Sequence, residues 1–234
     1  MNKHVNNSVH LVLKRKTVLL SPISLLVLAA CSGGSGSDSV VSVDPRTGNV
    51  TLGPLKNAKA FLDYDGDGKY DDNEPMVRTD EDGFFELTPS AEHEDATLVA
   101  IADELTVDKY AGPVSGVTLK APASASVVSM ASTIYQEAVE VALDEGTDAP
   151  TVEQVAKLLG IDTSQLSEGQ NLLDFNPDAD STSDLSKSFE AASKQVATIL
   201  GSMAAIADST AGDAVSGDDA FALALASVAE VITA

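Results

Sequence analysis

The chain has 234 residues, with 14 Lys and Arg against 36 Asp and Glu, so its formal net charge is -22. That length accommodates one or two domains, which typically hold about 100–200 residues each. The acidity argues against nucleic-acid binding, since phosphate contacts require clustered Lys and Arg, and against electrostatic adhesion to anionic membranes. It favours divalent cations instead. Aromatic residues make up only 4% of the chain, which predicts an aliphatic, alanine-rich core.

The beginning of the chain has the pattern of a secretory signal peptide. Its first basic residues are Lys3, Lys14, Arg15 and Lys16, and no acidic residue precedes Cys31. The apolar stretch at positions 17–30 is shorter than the ~20 residues that a membrane span needs. A short apolar segment after a basic run is typical of a signal peptide, which we predict for residues 1–30.

The apolar stretch ends in the sequence LAAC, and Cys31 is the only cysteine of the chain. This ending resembles the lipobox of bacterial lipoproteins. The resemblance implies cleavage before Cys31, diacylation of its side chain, for example with palmitate, and acylation of the new amino group. Several acyl chains give lasting membrane anchorage, whereas a single chain gives only marginal binding.

Residues 31–39 are therefore predicted to be a lipidated cysteine and a flexible Gly/Ser-rich linker. Ser32, rather than Asp, follows the cysteine, and by resemblance to the enterobacterial sorting rule this implies the outer membrane. The alternatives are an ordinary signal peptide with an idle cysteine and an uncleaved signal anchor.

Short strands bounded by Gly, Pro and Asn are predicted across residues 40–122. A turn of the hairpin type at residues 80–83 separates two of them. Several short strands with regular turn signals are typical of a small antiparallel β-sandwich. The predicted strands are residues 40–43, 49–52, 58–62, 76–79, 84–87, 97–102 and 116–119.

Residues 63–74, DYDGDGKYDDNE, match the twelve-residue EF-hand loop at every ligand position. Carboxylates stand at positions 1, 3, 5, 9 and 12, a glycine stands at the sharp turn of position 6, and position 7 needs only its backbone carbonyl. Hard oxygen ligands at this density select Ca²⁺ over zinc. The predicted ligands are Asp63, Asp65, Asp67, Lys69 through its carbonyl, Asp71 and Glu74.

The flanks differ from those of an EF-hand, which has a helix on each side. A predicted strand precedes the loop, and Pro75 disfavours a helix at Glu74. Residues 53–89 resemble instead the calcium-binding β-sandwich repeats of bacterial surface proteins, such as the B-type repeats of Gram-positive adhesins. That resemblance adds Asp80, in the following turn, as a further candidate ligand. The alternatives are an acidic turn without an ion and a dockerin-like module, which would pair two such loops with helices.

Helical spacing replaces the strand pattern after Ser126, so we predict an all-α domain over residues 123–234 and an α+β fold overall. Ser129 is predicted to cap a helix that ends at Gly146, and the capping box of residues 151–154 to begin another that ends at Gly160. A longer helix is predicted from residues 183–184, and a last one from Asp218 or Asp219 without a stop signal before Ala234. The order of these segments resembles parts of large surface proteins of Gram-negative bacteria, which implies no activity.

No enzymatic motif is found. His93 is the one histidine after the predicted signal peptide, and neither a nucleophile elbow nor a phosphate-binding glycine loop is present. A glycosidase pair of carboxylates is not excluded by spacing, although the lack of Trp disfavours a sugar site. We expect a non-enzymatic, calcium-stabilised lipoprotein of the cell envelope that interacts with a protein or polysaccharide. The alternatives are the accessory domain of a secreted hydrolase and a periplasmic structural or assembly factor.

The lipobox makes a direct prediction about Cys31. The variant Cys31→Ala should move from the membrane fraction to the soluble fraction, because the acyl chains that hold the protein have no attachment point. Labelled palmitate should enter the wild type and not the variant. A wild-type protein that never takes up the label would contradict lipidation.

Overall fold

The structure, a computed structural model, describes residues 43–211 and 223–229. These residues all belong to one compact unit, Val41–Ala234. The predicted signal peptide, Cys31, the linker and the start of the last helix lie outside the described residues. So does the strand predicted at residues 40–43, except Val43, which is not in a strand.

Short strands fill the first part of the described chain, and helices follow them. The strands are β1 Arg46–Val50, β2 Leu55–Lys56, β3 Lys59–Asp63, β4 Met76–Arg78, β5 Phe84–Leu87, β6 Thr97–Ala102, β7 Val107–Asp108, β8 Gly112–Pro113, β9 Val117–Ala121 and β10 Val127–Val128. The helices are α1 Met130–Glu145, α2 Val152–Leu159 and α3 Asp184–Ala211, with 3₁₀ turns at Thr163–Gln165, Leu172–Asp174 and Pro177–Asp180. Residues 223–229 are also helical.

The strands form three sheets. The largest has four antiparallel strands in the order β4-β3-β6-β9. A second has the order β10-β1-β5, in which β1 pairs antiparallel with β5 and parallel with β10, and a third has the order β2-β7-β8. Antiparallel sheets together with helices confirm the predicted α+β class. The boundary predicted between residues 122 and 123 stays a prediction.

The turn at residues 80–83 does not close a hairpin, so that prediction is wrong. Its two flanking strands belong to different sheets, because β4 pairs with β3 and β5 pairs with β1. The carbonyl of Gly83 accepts a hydrogen bond from the amide of Val50 at 2.8 Å, which directs the chain toward β1. Gly83 has a φ of 74°, and a Cβ there would lie 2.4 Å from the Val50 carbonyl oxygen.

The helix ends follow the local sequence as predicted. Ser129 caps α1 in a capping box with Ser132, and α1 ends at Gly146 in the left-handed conformation. Thr151 and Gln154 form the capping box of α2. These side chains satisfy backbone amides that have no partner within the helix, so the ends can be predicted without knowing the tertiary fold.

Helix α1 is attached to β9 by polar contacts in a buried setting. The hydroxyl of Thr133 accepts a hydrogen bond from the Lys120 amide at 2.9 Å, and the Ser132 hydroxyl donates to the Lys120 carbonyl at 2.8 Å. The ammonium of Lys120 lies 3.1 Å from a carboxylate oxygen of Glu137 and 2.9 Å from one of Glu140. The helix therefore has a fixed position on the four-stranded sheet.

The core is aliphatic with many alanines, and a few phenylalanines add bulk. On α3, Leu185, Phe189 and Leu200 are buried, but Met203, which helical spacing also places on the apolar face, is 41% exposed. Ala204 is buried instead. The buried face of the helix therefore rotates toward Leu200 and Ala204 in its second half.

An ion pair crosses the four-stranded sheet next to the core. The guanidinium of Arg78, at the end of β4, donates to both carboxylate oxygens of Asp103 at 2.8 and 2.6 Å. Asp103 follows β6, and Arg78 also donates to the Asn57 carbonyl at 2.7 Å. The hydrogen bonds from Arg78 lower the pKa of Asp103 to about 2.

This pair predicts how acid affects stability. Because the folded-state pKa of Asp103 is depressed, its contribution is complete above about pH 5 and is lost as the pH falls toward 2. We expect the ion pair to contribute about 1 kcal/mol to the free energy of unfolding, since both side chains are partly exposed to solvent. Urea unfolding of the wild type and Asp103→Asn should show this difference at pH 6 and a smaller one near pH 2. A difference that is equal at both pH values would contradict the assignment.

Candidate metal centre

The acidic loop, residues 63–74, connects two neighbouring antiparallel strands. Asp63 is the last residue of β3, and β4 begins at Met76, directly after Pro75. The Pro75 carbonyl accepts a hydrogen bond from the Leu62 amide at 3.2 Å, so the two ends of the loop are joined. Strands, not helices, flank the loop, as the sequence predicts, and an EF-hand with its helix pair is excluded here.

Asp63 is the buried centre of the loop, with 5% of its surface exposed. Its Oδ1 accepts a hydrogen bond from the Gly66 amide at 2.8 Å, and its Oδ2 accepts one from the Gly68 amide at 2.9 Å. Gly66 and Gly68 have φ angles of 77° and 74°, which favour glycine. The loop thus wraps its backbone around the first carboxylate.

Asp65 and Asp67 turn their carboxylates toward Asp63. One oxygen from each of Asp63, Asp65 and Asp67 lies within 4.8 Å of the others, which makes this group capable of holding a metal ion. Asp65 Oδ1 accepts from the Asp67 amide at 3.3 Å, and Asp67 Oδ1 accepts from the Lys69 amide at 2.7 Å. These local turns set the alternate side chains on one side of the loop.

Glu74 closes the loop from the opposite end and is also 5% exposed. Its Oε1 accepts a hydrogen bond from the Tyr64 amide at 2.7 Å, and its Oε2 accepts one from the Asp71 amide at 3.0 Å. One carboxylate therefore connects positions 2, 9 and 12 of the loop. Both of its oxygens point into the loop, and each has a second lone pair that these bonds do not use.

Three of the six predicted ligands, Lys69, Asp71 and Glu74, are not part of the carboxylate triad, and neither is the further candidate Asp80. Asp71 donates its amide to Glu74 and accepts from the Glu74 amide through its carbonyl at 3.0 Å, and its side chain is exposed. Lys69 contacts Asp67 through its amide. Asp80 accepts hydrogen bonds from the amides of Asp82 and Phe84, within its own turn.

The electrostatic state of the site reflects its burial and its excess of negative charge. Burial raises the pKa of Asp63, and the negative charges of Asp65 and Asp67 raise it further, against the amide hydrogen bonds from Gly66 and Gly68. The loop contains six carboxylates and one lysine. A cation at the triad would remove this repulsion.

Two tyrosines of the loop, which the EF-hand ligand pattern does not include, hold it against the rest of the protein. Tyr70 packs edge-on against Phe61 with ring centroids 5.8 Å apart, and the Lys59 ammonium lies 5.2 Å from its ring centroid. Tyr64 stacks on His93 at 4.0 Å, with an angle of 10° between the rings. In the sequence, the only indication of these contacts is that aromatic residues occupy loop positions 2 and 8 of an otherwise polar segment.

Tyr64 also lines a cleft of about 420 Å³ with residues 91–96. Its hydroxyl accepts a hydrogen bond from the Ser90 amide at 3.0 Å, and His93 Nδ1 lies 2.8 Å from the Ser90 hydroxyl oxygen. His93 is thus engaged by its neighbours in a polar loop. No Ser-His-Asp arrangement is formed by these contacts.

Comparison with known protein families, curated proteins and solved structures gives no match for this chain. Among the described residues, no helix has both the length and the apolar character needed to cross a membrane.

The position of Glu74 generates a prediction for the protein without added metal. Glu74→Ala removes the acceptor of two amide groups near the loop ends, which we expect to cost about 1–3 kcal/mol in the free energy of unfolding. Asp72→Ala removes the same charge from an exposed position and should change stability by less than about 0.5 kcal/mol. Urea unfolding in the presence of a chelator measures both. Equal stabilities for the two variants would show that the hydrogen bonds of Glu74 contribute nothing.

Proposed function

We propose that the acidic loop binds one Ca²⁺ through the carboxylates of Asp63, Asp65, Asp67, Asp71 and Glu74, and through the carbonyl of Lys69. The observation that supports this most strongly is the convergence of three carboxylates within 4.8 Å around the buried Asp63. A positive charge between its members would remove the repulsion among the three carboxylates.

The donor set favours calcium among the common cations. All proposed donors are oxygens, whereas zinc sites are dominated by nitrogen and sulfur. Ca²⁺ takes six to eight oxygens in flexible geometry, and Mg²⁺ requires a near-ideal octahedron and retains water. Glu74 lies outside the triad, and its proposed contribution of two oxygens is supported by the amides of Tyr64 and Asp71, which hold both oxygens at the loop.

The effect of the ion is proposed to be structural. Sensor EF-hands open a pair of helices when calcium binds, whereas this loop joins two strands of one sheet. Calcium would lock the connection between β3 and β4 and stabilise the sheet that contains them. We propose that the sheets together form the small calcium-binding β-sandwich and that the helices after it form an all-α domain.

We propose that the whole protein is a non-enzymatic lipoprotein anchored through Cys31 in the outer membrane, with an interaction or adhesion role. The LAAC ending of the apolar segment and the linker after it support the anchor. The resemblance of residues 53–89 to adhesin repeats supports the role. Proteolysis of intact cells tests it, since an adhesin must be cleaved from outside while a periplasmic assembly factor is protected.

The calcium proposal predicts a thermal shift. Extracellular loops of this type bind calcium at about 10⁻⁴–10⁻³ M, and a hundredfold excess over Kd stabilises the folded state by about 2.7 kcal/mol. For a domain of this size we expect calcium to raise Tm by about 5–10 °C relative to chelator. Asp65→Asn should abolish most of this shift.

Two controls make the measurement specific. Asp72→Asn removes the same charge at loop position 10, which supplies no ligand, and should retain most of the shift. Lys69→Ala should retain it fully, because only the carbonyl is used. The same melting temperature for the wild type with calcium and with chelator would contradict the proposal.

A further inference from the structure

Asp178 connects the helical part of the chain to the end of β1. It lies in the 3₁₀ turn Pro177–Asp180, and its Oδ2 accepts a hydrogen bond from the Thr51 hydroxyl at 2.8 Å. Thr51 is 1% exposed, and its amide donates to the Val128 carbonyl at 2.9 Å. The contact therefore lies among β1, β10 and the turn that precedes α3.

The second oxygen of this carboxylate has no partner in the described part of the chain. Asp178 Oδ1 is buried and receives no hydrogen bond there, and the hydroxyl of Ser193 on α3 is likewise buried without a partner. A carboxylate accepts hydrogen bonds only, whereas a carboxylic acid also carries an O–H group. A buried anionic oxygen without a donor is unfavourable, and a proton removes the negative charge that makes its burial most costly.

The charges around Asp178 favour the same proton. Glu190 on α3 and Asp108 on β7 act on it as negative charges, and Lys194 on α3 is the opposing positive charge. Lys194 also lies 3.6 Å from a Glu190 carboxylate oxygen and 6.0 Å from the centroid of the Tyr110 ring, so its charge is shared. Two negative charges thus oppose the ionisation of Asp178, and one positive charge favours it.

We propose that Asp178 is an acid-strengthened latch: a proton on Oδ1 removes the buried negative charge of the Pro177–Asp180 turn, so that the turn packs against Thr51 at the end of β1 at a lower cost in free energy. The proton removes the buried negative charge, while Oδ2 continues to accept the hydrogen bond from Thr51. The device goes beyond calcium binding, because Asp178 is neither in the acidic loop nor next to it in the sequence. Protonation of Asp178 would stabilise the junction between the sheet and the helices at low pH.

The same neighbours determine the direction in which the pKa of Asp178 is displaced. Burial raises its pKa, the charges of Glu190 and Asp108 raise it further, and the Thr51 hydrogen bond and Lys194 act in the opposite direction. A group whose folded-state pKa is raised destabilises the fold when ionised, and this cost disappears as the pH falls below the folded-state pKa. Asp178 therefore destabilises the fold at neutral pH, and this effect is lost at low pH.

The test compares Asp178→Asn with Asp180→Asn across pH 4–8, with thermal melting of the full chain as the readout. The asparagine side chain keeps an oxygen for Thr51 and mimics the protonated acid. We expect Asp178→Asn to melt about 2–4 °C above the wild type at pH 7 and at the same temperature as the wild type near pH 4. Asp180, in the same turn, is exposed, and the hydrogen bonds from Thr182 lower its pKa, so Asp180→Asn should not melt above the wild type.

Each variant is compared with the wild type in saturating calcium and again in chelator. Titration of the acidic loop affects both proteins alike, so it cancels in each comparison. Failure of the calcium proposal would remove the difference between the two buffers and leave the effect of Asp178→Asn unchanged. An Asp178→Asn variant that melts below the wild type at pH 7, or a difference that does not depend on pH, would overturn the latch.

Discussion

Two carboxylates buried in one loop, held by backbone amides alone, are the constraint on which this site depends. Asp63 and Glu74 are each 5% exposed, and amides of the loop donate two hydrogen bonds to each of them. Amides orient a carboxylate but carry no full charge. These hydrogen bonds specify the loop conformation without a metal, and the proposed cation would balance its charge.

The position of the loop determines what the cation can do. It joins adjacent strands of the four-stranded sheet, and β3 lies inside that sheet between β4 and β6. The aromatic contacts of Tyr64 and Tyr70 extend from the loop to residues 90–93 and to β3. Under the calcium proposal, binding at the loop would therefore stabilise this sheet and would not move a separate element.

The predictable features are those specified by residues close in the sequence. The capping boxes at Ser129 and Thr151 and the acidic loop are local patterns, and the structure has the caps and the strand flanks of the loop as predicted. The parallel pairing of β1 with β10 joins residues 49 and 127, far apart in the chain, and leaves no periodic signal. The hydrogen bond between Thr51 and Asp178 joins residues 127 positions apart, and no local sequence pattern predicts it. Calcium itself remains a proposal.

The aromatic composition of the loop has an experimental consequence. The chain has no tryptophan and four tyrosines, of which Tyr64 and Tyr70 both belong to the acidic loop. Each is held in a defined ring contact, one with His93 and the other with Phe61. Half of the tyrosine chromophores thus lie within one short segment. Near-ultraviolet circular dichroism and tyrosine emission of the unmodified protein will report on that segment, without an introduced label.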